Sequence, residues 1–277
     1  MIRKIICPTD FSLTAINAEE YAANLAKSFG AELLFVNVQK VMLASAAVSL
    51  GEGIGRETMD SAHQAVERLK ERCSEAKKMF DIEAKYEVDV TAKSLSATLS
   101  SLDSQEALIV MGTNGVDNMY KLFFGTQTYQ LITKAKCPVI VVPQRAAYEG
   151  IRKIVFAWDY SSKTEISFSL LGDFKKTFDP SFIFLHASTH HTGISHDLFS
   201  ALREEIETVL EKKSKVEFKQ QFVEDIPKAI DKYMVDSKAD LLCITYYNRG
   251  MIRDMFHGTV ARELSEMAEY PILVLHA

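Results

Sequence analysis

Leu108-Ile109-Val110-Met111 runs straight into Gly112-Thr113-Asn114-Gly115, and nine residues later come Gly125-Thr126-Gln127-Thr128. An unbroken apolar run bounded by glycine is the pattern of a strand buried on both faces, as in parallel sheets covered by helices. The glycines at its end let bare backbone approach another group closely, and Gly125-Thr126 reads as the opening of a helix. The free N–H groups and positive dipole end of such a helix favour an anion. The stretch therefore predicts a buried strand, a glycine turn and a helix N-terminus, together suited to a phosphate group.

Outward from this stretch, short β-branched runs alternate with helical periodicity. Strands are predicted over Lys4 to Cys7, Glu32 to Val38, Ile82 to Val90, Ala107 to Met111 and Pro138 to Val142. Helices are predicted over Ser12 to Phe29, Thr58 to Met79, Ser94 to Leu102 and Thr126 to Lys136. The second half repeats the order, with strands over Lys153 to Trp158, Phe182 to His186, Val216 to Val223, Leu241 to Thr245 and Ile272 to Leu275. The chain thus reads as an α/β protein duplicated within itself. Pro8-Thr9-Asp10-Phe11-Ser12 aligns with Ala157-Trp158-Asp159-Tyr160-Ser161, and Gly125-Thr126 with Gly258-Thr259. The second copy is the shorter, and the glycine-rich stretch from Gln39 to Glu57 is the expected extra loop of the first. The boundary falls near Gln144 to Gly150, giving two units, 1–146 and 151–277, each expected to bury its own core.

Composition narrows the function classes. Hydrophobic residues at 47% and charged residues at 25% are ordinary for a globular chain, and no apolar run reaches the length of a membrane span. The first residues read straight into a strand rather than a signal peptide, so a cytoplasmic location is expected. A net charge of −5 disfavours non-specific nucleic-acid binding, which depends on Lys and Arg displacing phosphate counterions. Cys7, Cys73, Cys137 and Cys243 form no C-x-x-C pair and are expected to be buried thiols.

The Pro8-Thr9-Asp10-Phe11-Ser12 strand end, the G-x2-G-x9-G-[ST] frame and the closing Pro138-Val139-Ile140-Val141-Val142 together resemble the universal stress protein family. The resemblance covers the chain as a tandem of two such domains, the second with a degenerate motif. It implies an adenine nucleotide alpha hydrolase-like fold: two tandem doubly wound open parallel five-stranded sheets of order 3-2-1-4-5. In such sheets a ligand sits beyond the carboxyl ends of the strands where the order reverses, here between the strands ending at Asp10 and Gly112. By resemblance to ATP-binding members, Pro8, Thr9 and Asp10 border the adenosine, Asp10 accepting from ribose hydroxyls, and Val38 flanks adenine through its backbone. Met111 and Gly112 line the ribose and phosphate side, while Gly115, Gly125, Thr126, Gln127 and Thr128 wrap the phosphates. ATP, with Mg²⁺ as its companion, is the implied ligand. The resemblance also implies an intramolecular pseudo-dimer in which Val139 to Val142 pair with Ile272 to Leu275, with association into a homodimer left open.

Plainer readings stand beside these. Gly112 and Gly115 could simply shape a turn, and Asp10 could simply cap the following helix. In the second copy Thr245 and Asn248 replace the two glycines and Tyr246 and Tyr247 add bulk, so that copy is expected to be mainly structural, with Asp159 a helix cap. Gly258-Thr259 with Arg249, Arg253 and His257 leaves a different acidic ligand open. His186, His190, His191 and His196 cluster after the second copy's second strand, and His190, His191 and His196 are the candidate metal ligands. The charged stretch Glu67 to Lys78 reads as the wet face of a helix.

Neither a nucleophile elbow nor a P-loop lysine nor a kinase signature is present, so no catalytic residue is expected and slow ATP hydrolysis is the most the residues allow. Two readings compete: a nucleotide-sensing stress regulator acting on a protein partner, and a nucleotide-independent interaction scaffold.

Overall fold

The computed structural model describes residues 1–40, 53–91, 94–102, 106–113, 126–158, 168–189, 196–210, 215–246 and 269–276. The first half contains β1 (Lys4–Pro8), α1 (Leu13–Phe29), β2 (Glu32–Lys40), α2 (Gly53–Phe80), β3 (Ala84–Thr91), α3 (Leu95–Leu102), β4 (Ala107–Gly112), α4 (Thr126–Lys134) and β5 (Val139–Val142). The second contains β6 (Lys153–Ala157), α5 (Ser169–Phe178), β7 (Ser181–Ser188), α6 (His196–Val209), β8 (Val216–Phe222), α7 (Ile226–Ser237), β9 (Leu241–Tyr246) and β10 (Ile272–His276). The α/β class is as expected. The largest boundary differences flank one loop: α2 starts at Gly53 rather than Thr58, and β2 runs on to Lys40, so part of the expected Gln39 to Glu57 loop is regular structure. Glycine is least costly in a first helical turn, where the N–H groups have no intrahelical partner to lose.

The ten strands form one sheet, in the order β3-β2-β1-β4-β5-β10-β9-β6-β7-β8, not two separate sheets. Neighbours within each half are parallel. At the centre β5 and β10 pair antiparallel, Val139 opposite Val274 and Val141 opposite Ile272. This pairing covers two edges that would otherwise present unpaired backbone groups.

Strand residues alternate between the two faces of the sheet. Ile5, Cys7, Leu108, Val110, Phe156 and Phe184 pack with α1, α2, α5 and α6 on one side. Ile6, Ile109, Met111, Val155 and Leu185 pack with α3, α4 and α7 on the other. Each of these two cores draws residues from both halves, where the sequence suggested a core for each. Across the central line Phe29 of α1 meets Phe174 and Phe178 of α5 edge-on, both at 5.3 Å between ring centroids. The segment joining the halves is fastened to α1: Asn17 Nδ2 donates to the carbonyls of Pro143 at 2.8 Å and Ala146 at 3.0 Å. All four cysteines are buried thiols, as expected. Among the described residues no helix is long and apolar enough to cross a membrane.

Candidate functional site

β1 and β4 lie side by side only as far as the pair Ile6–Ile109, yet β1 continues to Pro8 and β4 to Gly112. Beyond that pair the ladder ends, at the carboxyl ends where the chain order along the sheet reverses, the position of the ligand crevice in open α/β sheets. On the β2 side the last pair is Pro8–Val36, after which the Thr9 N–H still donates to the Val36 carbonyl at 2.9 Å. Peptide groups alternate sides along a strand, so those of Val38 face the same way as those of Val36, past the end of β1.

The turn from Thr9 to Ser12 carries the sequence-predicted Thr9 and Asp10. Ser12, not Asp10, is the N-cap of α1: its hydroxyl accepts from the Ala15 N–H at 3.2 Å. Asp10 is exposed, and its Oδ1 accepts from the Ser12 N–H at 3.0 Å, a tight local turn. Thr9 is buried and its hydroxyl donates to Glu19 Oε1 of α1, while its oxygen accepts from the Phe11 N–H at 3.0 Å. Asn37 Nδ2 of β2 donates to the Thr9 carbonyl at 2.7 Å, and Gln39 Nε2 donates to Asn37 Oδ1 at 2.6 Å.

Glu19 is only 5% exposed, and its second oxygen meets Arg72 Nε of α2 at 3.1 Å. Burial pushes its carboxyl above the usual range, against the Thr9 hydrogen bond and the charges of Arg72 and Arg68, with Asp10 adding to the rise. Arg68 of α2 stands over the Phe11 ring, 3.9 Å from the centroid. Glu19, Asn37, Gln39, Arg68 and Arg72 were not singled out in the sequence. The stretch Glu67 to Lys78 is in part a wet face, with Lys70–Glu67 and Arg72–Glu75 pairs at its surface, but Arg68 and Arg72 turn toward this site.

On the β4 side Met111 is buried in the sheet and Gly112 ends the strand. A Cβ on Gly112 would meet Thr14 of α1, so bare backbone is needed there first to let the helix approach. Thr128 is buried, and its hydroxyl lies 3.2 Å from the Thr113 carbonyl and 3.4 Å from that of Gly112, tying the start of α4 to the end of β4. Its proton is directed to backbone rather than outward. Thr126 and Gln127 open α4. Gly115 and Gly125 lie outside the described residues, as do His190, His191, Asp159, Tyr247, Asn248, Arg249, Arg253, His257, Gly258 and Thr259. His196 is the first residue of α6.

The second half reproduces the frame with different chemistry. Trp158 N–H donates to the Leu185 carbonyl at 3.0 Å, matching Thr9 and Val36. His186 Nδ1 lies 3.0 Å from the Trp158 carbonyl, matching Asn37, and must carry the proton because a carbonyl only accepts. Thr245 stands opposite Leu275 as Gly112 stands opposite Val142. Here β6 and β9 stay paired through Phe156–Cys243, one position further than in the first half. Phe168, nine residues after Asp159 as Glu19 is nine after Asp10, packs edge-on against Trp158 with centroids 6.1 Å apart.

The model of the universal stress protein family matches residues 1–143. The chain belongs to the universal stress protein family. A universal stress protein of Methanocaldococcus jannaschii is 30% identical over 149 residues, covering 51% of this chain and 82% of that one. Another from Thermus aquaticus is 27% identical over 143 residues, covering 51% of this chain and 99% of that one. Over its full length the chain is similar to the crystal structure of a universal stress protein from Archaeoglobus fulgidus, with a TM-score of 0.71, 14% identity and coverage of 98% and 97%. At that identity the likeness is one of fold. Membership in the universal stress protein family supports a role in the response to stress.

Proposed function

We propose that the crevice between β1 and β4 binds ATP or a related adenine nucleotide, and that the chain acts as a nucleotide-sensing stress regulator. The observation that carries this reading is the end of the β1–β4 ladder at Ile6–Ile109, with the exposed Asp10 carboxylate on one lip and the Val38 peptide groups facing the gap. A carboxylate accepts from vicinal ribose hydroxyls, and a strand's peptide groups pair with the edge of a base. Gly112, Gly115, Gly125, Thr126, Gln127 and Thr128 belong to the proposed phosphate side. An Mg²⁺ ion bound with the nucleotide would neutralise phosphate charge there.

Binding is favoured over turnover. Glu19, the buried carboxylate nearest the crevice, has one oxygen on Thr9 and the other on Arg72, which leaves it no position from which to activate a water.

The second half, 151–277, is proposed as a universal stress protein domain in tandem with 1–146, kept chiefly as a structural partner. The matching hydrogen bonds at Thr9 and Trp158 support the duplication. The one-position shift of the β6–β9 ladder toward the strand ends, and Thr245 in place of Gly112, support a closed crevice. The antiparallel β5–β10 seam supports reading the two halves as a pseudo-dimer within one chain.

Calorimetry with ATP tests the reading. Loss of one charge-assisted contact predicts about tenfold to hundredfold weaker binding by Asp10→Ala. No heat of binding by the unaltered chain, together with no nucleotide released on denaturing freshly purified protein, would overturn it.

A further inference from the structure

Phe11 has a left-handed backbone, φ 63°, which a bulky side chain adopts only when its surroundings hold it. Three contacts do so here. The Phe11 N–H is taken by the Thr9 hydroxyl oxygen at 3.0 Å, the ring lies under the Arg68 guanidinium, and the Thr9 hydroxyl proton is fixed on Glu19. Glu19 is anchored in turn by Arg72, so two side chains of α2 and one of α1 hold the turn that presents Asp10.

The second half shows that the fold alone does not require this set. At the matching places Trp158 and Phe168 pack ring against ring, a solution with no ionisable group. Replacing buried ion pairs by well-packed apolar groups is often neutral or stabilising, so a buried carboxylate is a costly way merely to fill space. The polar set stands beside the ladder that stops at Ile6–Ile109, and the aromatic set beside the one that reaches a position further, to Phe156–Cys243.

We propose that Glu19 is the positioning residue of the Thr9–Ser12 turn and that, through Arg72 and with Arg68, it couples that turn to helix α2. For the ligand alone this rests on the nucleotide reading above. With Glu19 ionised, its oxygen fixes the Thr9 hydroxyl as a donor and leaves a Thr9 lone pair for Phe11. Protonation of Glu19 removes the charge that holds Arg72, and the turn loses its tie to α2. The charged and titratable groups around Glu19 are Cys7 of β1, Asp10 of the turn, and Arg68 and Arg72 of α2. Of these, the arginines favour the ionised form and Asp10 opposes it.

The experiment uses the full chain, with hydrogen exchange at the Phe11 amide measured without ligand and adenosine binding measured by calorimetry. Adenosine is the probe because it carries no phosphate that titrates in the range used. Glu19→Gln and Thr9→Val are expected to speed Phe11 exchange about tenfold, while Arg72→Lys, which keeps the charge beside Glu19, retains most of the protection. Adenosine affinity of the unaltered chain is expected to fall several-fold as pH is lowered through the Glu19 titration, with Glu19→Gln weaker and flat over the same range. Unchanged Phe11 exchange in both variants overturns the proposal. So does equal, equally pH-dependent adenosine binding by Glu19→Gln, and that result leaves the nucleotide reading standing. If Phe11 exchange responds as expected but the unaltered chain takes up no adenosine, the positioning role holds and the nucleotide reading falls.

Discussion

Gly112 at the end of β4 and Thr14 in the first turn of α1 are in such close contact that a Cβ on the glycine would come within 2.8 Å of Thr14 Cγ2 and 3.0 Å of the Thr14 carbonyl oxygen. Backbone on one side of that contact cannot swing away as a side chain tip can. Gly112→Ala is therefore expected to lower stability by about 1–3 kcal/mol, read as a lower urea midpoint with an unchanged slope. Gly172→Ala in α5 is the contrast: its nearest neighbours, both in Val209, lie at 3.5 Å, and removing a helical glycine should raise stability by about 0.5–1 kcal/mol.

Arg72→Ala leaves the Glu19 carboxylate buried without its cation. Because Arg72 is itself partly exposed, at 31%, the loss should fall short of that for a fully buried pair, about 2–3 kcal/mol by urea unfolding. Lys70, which pairs with Glu67 in the open, should be replaceable by alanine without measurable change.

The raised pKa of Glu19 fixes the sign of a pH effect on stability. A carboxyl whose folded value lies above its unfolded value binds protons more tightly when folded. Its contribution is fully present below the unfolded value and is lost as pH rises through the folded one. Compared with Glu19→Gln, the unaltered chain should thus gain stability as pH falls from neutrality through the Glu19 titration. Parallel urea titrations of the two chains across that window check this, and a constant difference between them would contradict it.

The strands were legible because a strand buried on both faces has to be apolar throughout, as Leu108 to Met111 and Val139 to Val142 are. The end of β4 at Gly112 was legible from the glycine after the apolar run, while β1 ends at Pro8 rather than at Asp10. The start of α2 was not legible, since Gly53 and Gly55 carry a loop signal that the first turn of a helix tolerates. Nor was Glu19: a glutamate in a helix reads as solvent-facing, and only Thr9 from the preceding strand end and Arg72 from a distant helix make its burial tolerable. Gly112 was read as room for a ligand, but its partner Thr14 comes from another element almost a hundred residues away, which no local pattern reveals. The joining of two halves into one sheet was foreseen as strand pairing, but the sharing of both cores was not, because apolar periodicity says which face is buried and not what covers it.

A chain cut to residues 1–146 would expose β5, Val139–Val142, which now pairs with β10. Such a four-residue apolar edge invites a replacement strand. The fragment is expected to self-associate, seen by light scattering as a mass at or above twice its own, while the intact chain shows no such dependence on that edge. A monodisperse monomeric fragment would contradict this.

Because β5 and β10 run in opposite directions, every strand of one half points against every strand of the other. The carboxyl ends of the two halves' strands therefore lie on opposite edges of the shared sheet. A group held at the strand ends of one half would therefore leave the strand ends of the other half unobstructed.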